Sequence, residues 1–290
     1  MYKVNEIFPG IRHITETMGV GFTLIEGSER AILFDTGYGM EDVKAFITTM
    51  TNKPVTVLLS HGHHDHMLGA RWFPKTYLCA EDMEEFLERT GKGQRTKVKA
   101  QAEEQHVSVP EDFMTAEIAP PEAILFNEKT GSFERKRVNL GSLEVQVIKV
   151  PGHTPGSIVL YVPAYDLLLT GDDWNPCTWM WFPTSARAGL WRNRMKELIH
   201  TLEEENGRAI QSVICSHQPM KREGRELKEF LEYMTDERLA DAPAIDMGAP
   251  INTHEIRNDE KGWQLIFDRD KAVYVLFSFE KYIAKENRIG

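Results

Sequence analysis

Val55-Thr56-Val57-Leu58-Leu59-Ser60-His61-Gly62-His63-His64-Asp65-His66 is the stretch that decides the fold. Val55 to Leu59 is an uncharged run of β-branched residues and leucine, the composition of a buried strand. Ser60 to His66 then brings four imidazoles and a carboxylate together. Loops at the ends of buried strands are where rigid scaffolds present reactive groups. A chance surface run of histidines would not be expected to follow such a strand, so the segment reads as a ligand loop.

Three later segments repeat the placement. Leu143 to Val150 alternates like a strand and stops at Pro151-Gly152, just before His153. Leu167 to Thr170 leads to Gly171-Asp172-Asp173, and Ser212 to Cys215 leads to Ser216-His217. A lone Gly-His or Gly-Asp is ordinary turn chemistry. The set of His61, His63, Asp65 and His66 with His153, Asp172 and His217 is not ordinary. Neutral imidazole and carboxylate are the donors that zinc and similar divalent ions prefer. His64, between two such donors, reads as a bystander. His13, His106, His200 and His254 have no motif around them and read as structural or surface residues.

The rest of the chain predicts an α/β layered domain. Strands are expected at Gly21 to Glu26, Ala31 to Asp35 and Ile158 to Val162. Helices are expected at Glu41 to Met50, Glu81 to Thr90, Lys97 to Gln105, Leu190 to Glu205 and Arg225 to Met234. Pro110 to Pro121 reads as irregular. Trp263 to Phe267 and Ala272 to Phe277 read as a last hairpin, turning at residues 268–271. No internal repeat or low-complexity linker is visible.

The order of these ligands resembles the metallo-β-lactamase-fold superfamily. The resemblance rests on His-x-His-x-Asp-His at residues 61–66, on the downstream His153, Asp172 and His217, and on the Asp35-Thr36-Gly37 loop. It implies a four-layer αββα sandwich in residues 1–235, with residues 236–290 as an extension packed on the same domain. It also implies two divalent ions, zinc by default with manganese or iron as alternatives. His61, His63 and His153 would hold the first ion, Asp65, His66 and His217 the second, and Asp172 would bridge them. Members of the superfamily often carry a glycine pair after the loop, where this chain has Leu68-Gly69.

The implied chemistry is hydrolysis by metal-bound hydroxide, with Asp65 as the catalytic carboxylate that orients the nucleophile. Within the resemblance, the bridging Asp172 points away from lactam cleavage. The Pro151-Gly152-His153-Thr154-Pro155-Gly156 segment is similar to the glyoxalase II and lactonase branches, which implies a thioester, lactone or other ester. An iron-dependent persulfide dioxygenase and a phosphodiesterase or nuclease share much of the ligand set and stand as alternatives. Trp174, Trp179, Trp181 and Phe182 follow Asp172 and are expected to form either an apolar substrate wall beside the metals or a core or lid-packing cluster, with their start at a ligand favouring the wall. Tyr38 is expected to donate to a substrate oxygen. Arg187, Arg192 and Arg194 read as solvated helix charges.

Bulk properties set the partners. The formal net charge is −10, which disfavours nucleic acid. The expected partner is a small-molecule substrate. The basic stretch Lys92 to Lys99 reads as a solvated helix face. Cys79, Cys177 and Cys215 match no zinc ribbon or disulfide framework, which fits a reducing compartment. The sequence shows neither a signal peptide nor an apolar run that would span a bilayer, so a cytoplasmic location is expected. The tail at 236–290 could complete a sheet, cover the site or mediate a homodimer.

Overall fold

The computed structural model describes residues 2–248 and 252–269. Seven strands form the first sheet: β1 (Lys3–Phe8), β2 (Ile11–Thr15), β3 (Gly21–Glu26), β4 (Ala31–Phe34), β5 (Val55–Leu58), β6 (Tyr77–Leu78) and β7 (Glu122–Ala123), side by side in that order. The second sheet holds β8 (Glu128–Thr130), β9 (Phe133–Asn139), β10 (Glu144–Lys149), β11 (Ile158–Val162) and β12 (Leu167–Gly171). β13 (Cys177–Met180) leaves it, and β14 (Ser212–Cys215) and β15 (Arg222–Glu223) return to give the order β15-β14-β12-β11-β10-β9-β8. A small third sheet places β17 (Trp263–Asp268) between β13 and β16 (Thr253–Asn258).

Side-chain alternation turns these sheets into layers. In β3, Phe22 and Leu24 point to one core and Ile25 to another. In β11, Ile158, Leu160 and Val162 face the first sheet, while Val159 and Tyr161 face away. The two sheets therefore pack face to face through Ile32, Phe34, Leu58, Val145, Leu160 and Ile214 among others. With both faces buried, β4 (AILF) and β11 (IVLYV) are apolar throughout.

Helices cover the outer faces. On the first sheet lie α1 (Val43–Thr48), α3 (Met83–Arg89) and α4 (Lys92–Glu104), which contribute Val43, Ile47, Phe86, Val98 and Ala102 to that core; the short α2 (His64–Met67) lies in the ligand loop. On the second sheet lie α5 (Ala188–Asn206) and α6 (Gly224–Tyr233), followed by α7 (Asp236–Asp241). In α5, Trp191, Met195, Leu198, Ile199 and Leu202 recur at helical spacing and are buried. Asp42 caps α1 through the Ala45 amide, and Gly207, at φ 65°, ends α5 in the left-handed conformation that glycine adopts freely. The result is the expected αββα sandwich. Among the described residues no helix is long and apolar enough to cross a membrane.

Three expectations shift. Trp263–Asp268 is a strand and pairs with the upstream strand Thr253–Asn258; the expected hairpin partner, Ala272 to Phe277, lies outside the described residues. Helix α4 starts earlier than read, and Arg95 within it is not solvated. Its guanidinium donates to the carbonyls of Phe113 and Ala116 and so pins the irregular segment that follows. Arg192 and Arg194 are likewise structural, donating to the carbonyls of Met234 and Pro151.

Candidate metal centre

Strands β4 and β5 run parallel, as do β12 and β14. Strand β10 is antiparallel to β11, and β11 to β12, so β10 runs with β12. The C-terminal ends of these strands carry Asp35, His61, His153, Asp172 and His217 to one edge of the sandwich. There the donors fall into two groups, His61 with His63 and His153, and Asp65 with His66, Asp172 and His217. Within each group the ligand atoms lie within 4.8 Å of one another. All seven residues singled out as ligands in the sequence are brought together.

Asp172 joins the groups. Its Oδ2 stands 3.2 Å from His217 Nε2, 3.3 Å from His66 Nε2 and 3.8 Å from His153 Nε2. Asp65 Oδ2 stands 3.4 Å from His66 Nε2 and 3.6 Å from His217 Nε2. The buried Nε2 atoms of His61 and His66 have no hydrogen-bond partner. Buried polar atoms are nearly always satisfied, so such orphans at the focus of a donor cluster fit a metal ion. Burial first, and the neighbouring imidazoles next, hold His61 well below its usual pKa. Burial likewise lowers His153 to about 3. Both rings are therefore neutral, the form that binds metal.

The opposite ring nitrogens are tied back, which aims the free ones. The Asp35 carboxylate accepts from the Ser60 amide at 2.6 Å and hydroxyl at 2.8 Å, and contacts His66 Nδ1 at 3.0 Å. Ser60 Oγ in turn meets His61 Nδ1 at 2.9 Å. Asp35 sits at φ 68°, a strained left-handed position for a residue with a side chain, and such strain collects at working sites. His153 Nδ1 meets the Trp179 carbonyl at 2.7 Å. His63 is turned the other way: its Nδ1 faces His153 Nε2 at 2.9 Å, and its Nε2 approaches Glu85 at 3.4 Å. These outer contacts fix tautomer and ring orientation.

Asp82 is a residue that the sequence did not single out. It is fully buried and accepts from the Gly62 amide at 2.9 Å, the Gly156 amide at 2.6 Å and the Thr154 hydroxyl at 2.6 Å. It thus locks the His61–His66 loop to the His153 loop. Burial raises its pKa to about 6 against these hydrogen bonds. Asp173 plays a related part by accepting from the His153 amide at 2.7 Å. Neither had a sequence signal of its own, because their partners are backbone amides or side chains distant in the chain.

The substrate candidates divide. Phe182 lies against the ligands, its ring centroid 4.5 Å from His63 and 5.2 Å from His153. Trp181 stacks on Phe182 at 4.5 Å, and the exposed Trp179 adjoins both. Trp174 does not join this wall. It is fully buried in the core, edge-on to Phe230, because β13 carries the chain away after it. Tyr38 is also withdrawn; it is buried, with its ring beside His64 and its hydroxyl 3.5 Å from Gln101 Nε2. Leu68-Gly69 needs no second glycine. A Cβ on Gly69 would meet the Thr36 carbonyl at 2.2 Å, whereas Leu68 fills the core.

The model of the metallo-beta-lactamase superfamily matches residues 20–172, more than half of the chain. The chain belongs to the metallo-beta-lactamase superfamily. Membership makes it a metal-dependent hydrolase. It is similar to a probable metallo-hydrolase of Bacillus subtilis, 24% identical over 152 residues, covering 50% of this chain and 61% of the relative. It is also similar to glyoxylase B2 of Dictyostelium discoideum, 25% identical over 203 residues, covering 68% and 60%. The chain thus spans less than two thirds of either relative. Among solved structures, a stereoselective inverting sec-alkylsulfatase from Pseudomonas sp. shares the fold with a TM-score of 0.58 at 16% identity, over 83% of this chain and 43% of that one.

Proposed function

We propose that this superfamily member is a two-metal hydrolase of a lactone, thioester or other ester that carries an apolar group. The observation that carries the two-ion reading is the Asp172 carboxylate, whose one oxygen reaches histidines of both donor groups. His61, His63 and His153 would hold one ion, Asp65, His66 and His217 the other, and Asp172 both. Two bound divalent ions, zinc by default, would lower the pKa of water and polarise the attacked carbonyl.

The protein's own groups do the rest. Burial raises the Asp65 carboxyl, but with no ion bound the charge on His66, His64 and His217 outweighs it and holds the group well below the usual range, and a bound divalent ion would supply positive charge in their place. It therefore enters as a carboxylate, able to accept a hydrogen bond from the attacking water and aim it. Phe182 and Trp181 exclude water on the His63 side and offer flat apolar surface to the acyl or leaving group. Such a wall suits an uncharged organic group better than a polyanion. The relative named glyoxylase B2 supports the same branch. Proton release from zinc- or manganese-loaded protein, with lactones, thioesters, aryl esters and phosphodiesters as substrates, tests the reading. Turnover of an acyl substrate that disappears in Asp172→Asn is expected. Turnover of phosphodiesters alone, or full activity in Asp172→Asn, would overturn it.

A further inference from the structure

We propose that the hairpin β16–β17, beyond the region matched by the superfamily model, is a working part of the metal centre. By pairing with β13 it fixes where the His153 ring and the aromatic wall stand. The inference rests on the two-metal reading above.

Among the described residues β17 is the one strand that pairs with β13, in the register Cys177↔Gln264, Thr178↔Leu265, Trp179↔Ile266 and Met180↔Phe267. The Gln264 amide donates to the Pro176 carbonyl at 2.7 Å, where β13 begins. Beneath the ladder, Met180, Leu265 and Phe267 are buried in one core with Trp174 and Phe230. The position of β13 is therefore set from the hairpin side.

What β13 carries matters to the site. The Trp179 carbonyl is the acceptor for His153 Nδ1, at 2.7 Å. That contact requires the proton on Nδ1 and leaves Nε2 with a free lone pair, the tautomer that a metal needs. The His153 backbone is held elsewhere, its amide by Asp173 and its carbonyl by the Ser185 hydroxyl. The hairpin thus governs the ring and not the loop. Phe182, just past β13, leans on His63 and His153 and would move with it. In the second donor group the His66 ring is tied to Asp35, away from β13, and β13 reaches Asp172 and His217 only through Asn175, which bonds Thr178 on one side and Asp172 Oδ1 and the His217 amide on the other. Loosening β13 should therefore weaken the ion held by His153 more than the ion held by Asp65, His66 and His217, whereas a merely stabilising hairpin would affect both alike.

Gln264→Pro removes the amide that bonds Pro176, and Gln264→Ala keeps it. Metal-stripped full-length protein would be titrated with zinc against a chromophoric chelator, and the His153 Nδ1 proton followed by NMR. Wild type and Gln264→Ala should take up two ions per chain. Gln264→Pro should lose about 10–100-fold in affinity at one of the two steps, with the Nδ1 signal shifted or lost. Equal weakening of both steps, or of neither, overturns the proposal. If Gln264→Pro does not fold, amide exchange in the wild type decides instead. Residues 177–180 should open together with residues 263–268 as one unit, and independent opening overturns the proposal. If wild type takes up no zinc, the two-metal reading falls, and the exchange result still judges the hairpin.

Discussion

Replacing Asp82 by alanine should cost stability in a way that depends on pH. The carboxylate serves the amides of Gly62 and Gly156 and the Thr154 hydroxyl. Thr154 can fall back on Ser157 Oγ at 2.9 Å, so the two amides bear the loss. Each buried donor left unsatisfied costs about 1–3 kcal/mol, giving about 4 kcal/mol at pH 8. Burial raises the folded pKa from 3.8 to about 6. A raised folded pKa means stability that is present below the unfolded value and lost as pH rises through the folded one. For these two values wild type should gain about 1 kcal/mol from Asp82 at pH 5 relative to pH 8. Asp82→Ala has no such term, so its deficit should grow to about 5 kcal/mol at pH 5. Urea denaturation of metal-stripped wild type and variant at both pH values measures the two gaps. A deficit below about 1 kcal/mol would refute the role given to this carboxylate, and one larger at pH 8 than at pH 5 would refute its raised pKa.

Other perturbations read other parts of the site. Glu85→Gln should weaken zinc binding at the His61, His63 and His153 group by about 10-fold, seen by chelator competition, because Glu85 steadies His63 Nε2. Gly69→Ala places a methyl group 2.2 Å from the Thr36 carbonyl; it should cost about 3 kcal/mol and lower Tm by roughly 5–10 °C in calorimetry. Trp181→Ala with Phe182→Ala should raise KM for an apolar ester by about 10-fold or more while leaving zinc content at the wild-type level, by steady-state kinetics and elemental analysis.

Ligands were the most legible feature of the sequence because each follows a buried strand, and parallel strand ends converge. Layering followed from the apolar strands alternating with amphipathic helices. The strands β1, β2, β9 and β16 were not read from sequence. Lys3–Phe8 and Phe133–Asn139 carry many charges on exposed faces, so their apolar signal is diluted. Trp174 and Trp181 could not be told apart by composition. Which one enters the core depends on β13 pairing with a strand more than eighty residues downstream. Asp82 and Glu85 look like ordinary charges at the start of a helix until the fold brings the histidine loops onto them.

The most direct test is a zinc-edge anomalous difference map from crystals grown with zinc. Two peaks about 3.5–4 Å apart are predicted, one among His61, His63 and His153, the other among Asp65, His66 and His217, with Asp172 touching both. A single peak, or two peaks of which only one contacts Asp172, would contradict the bridged two-metal centre.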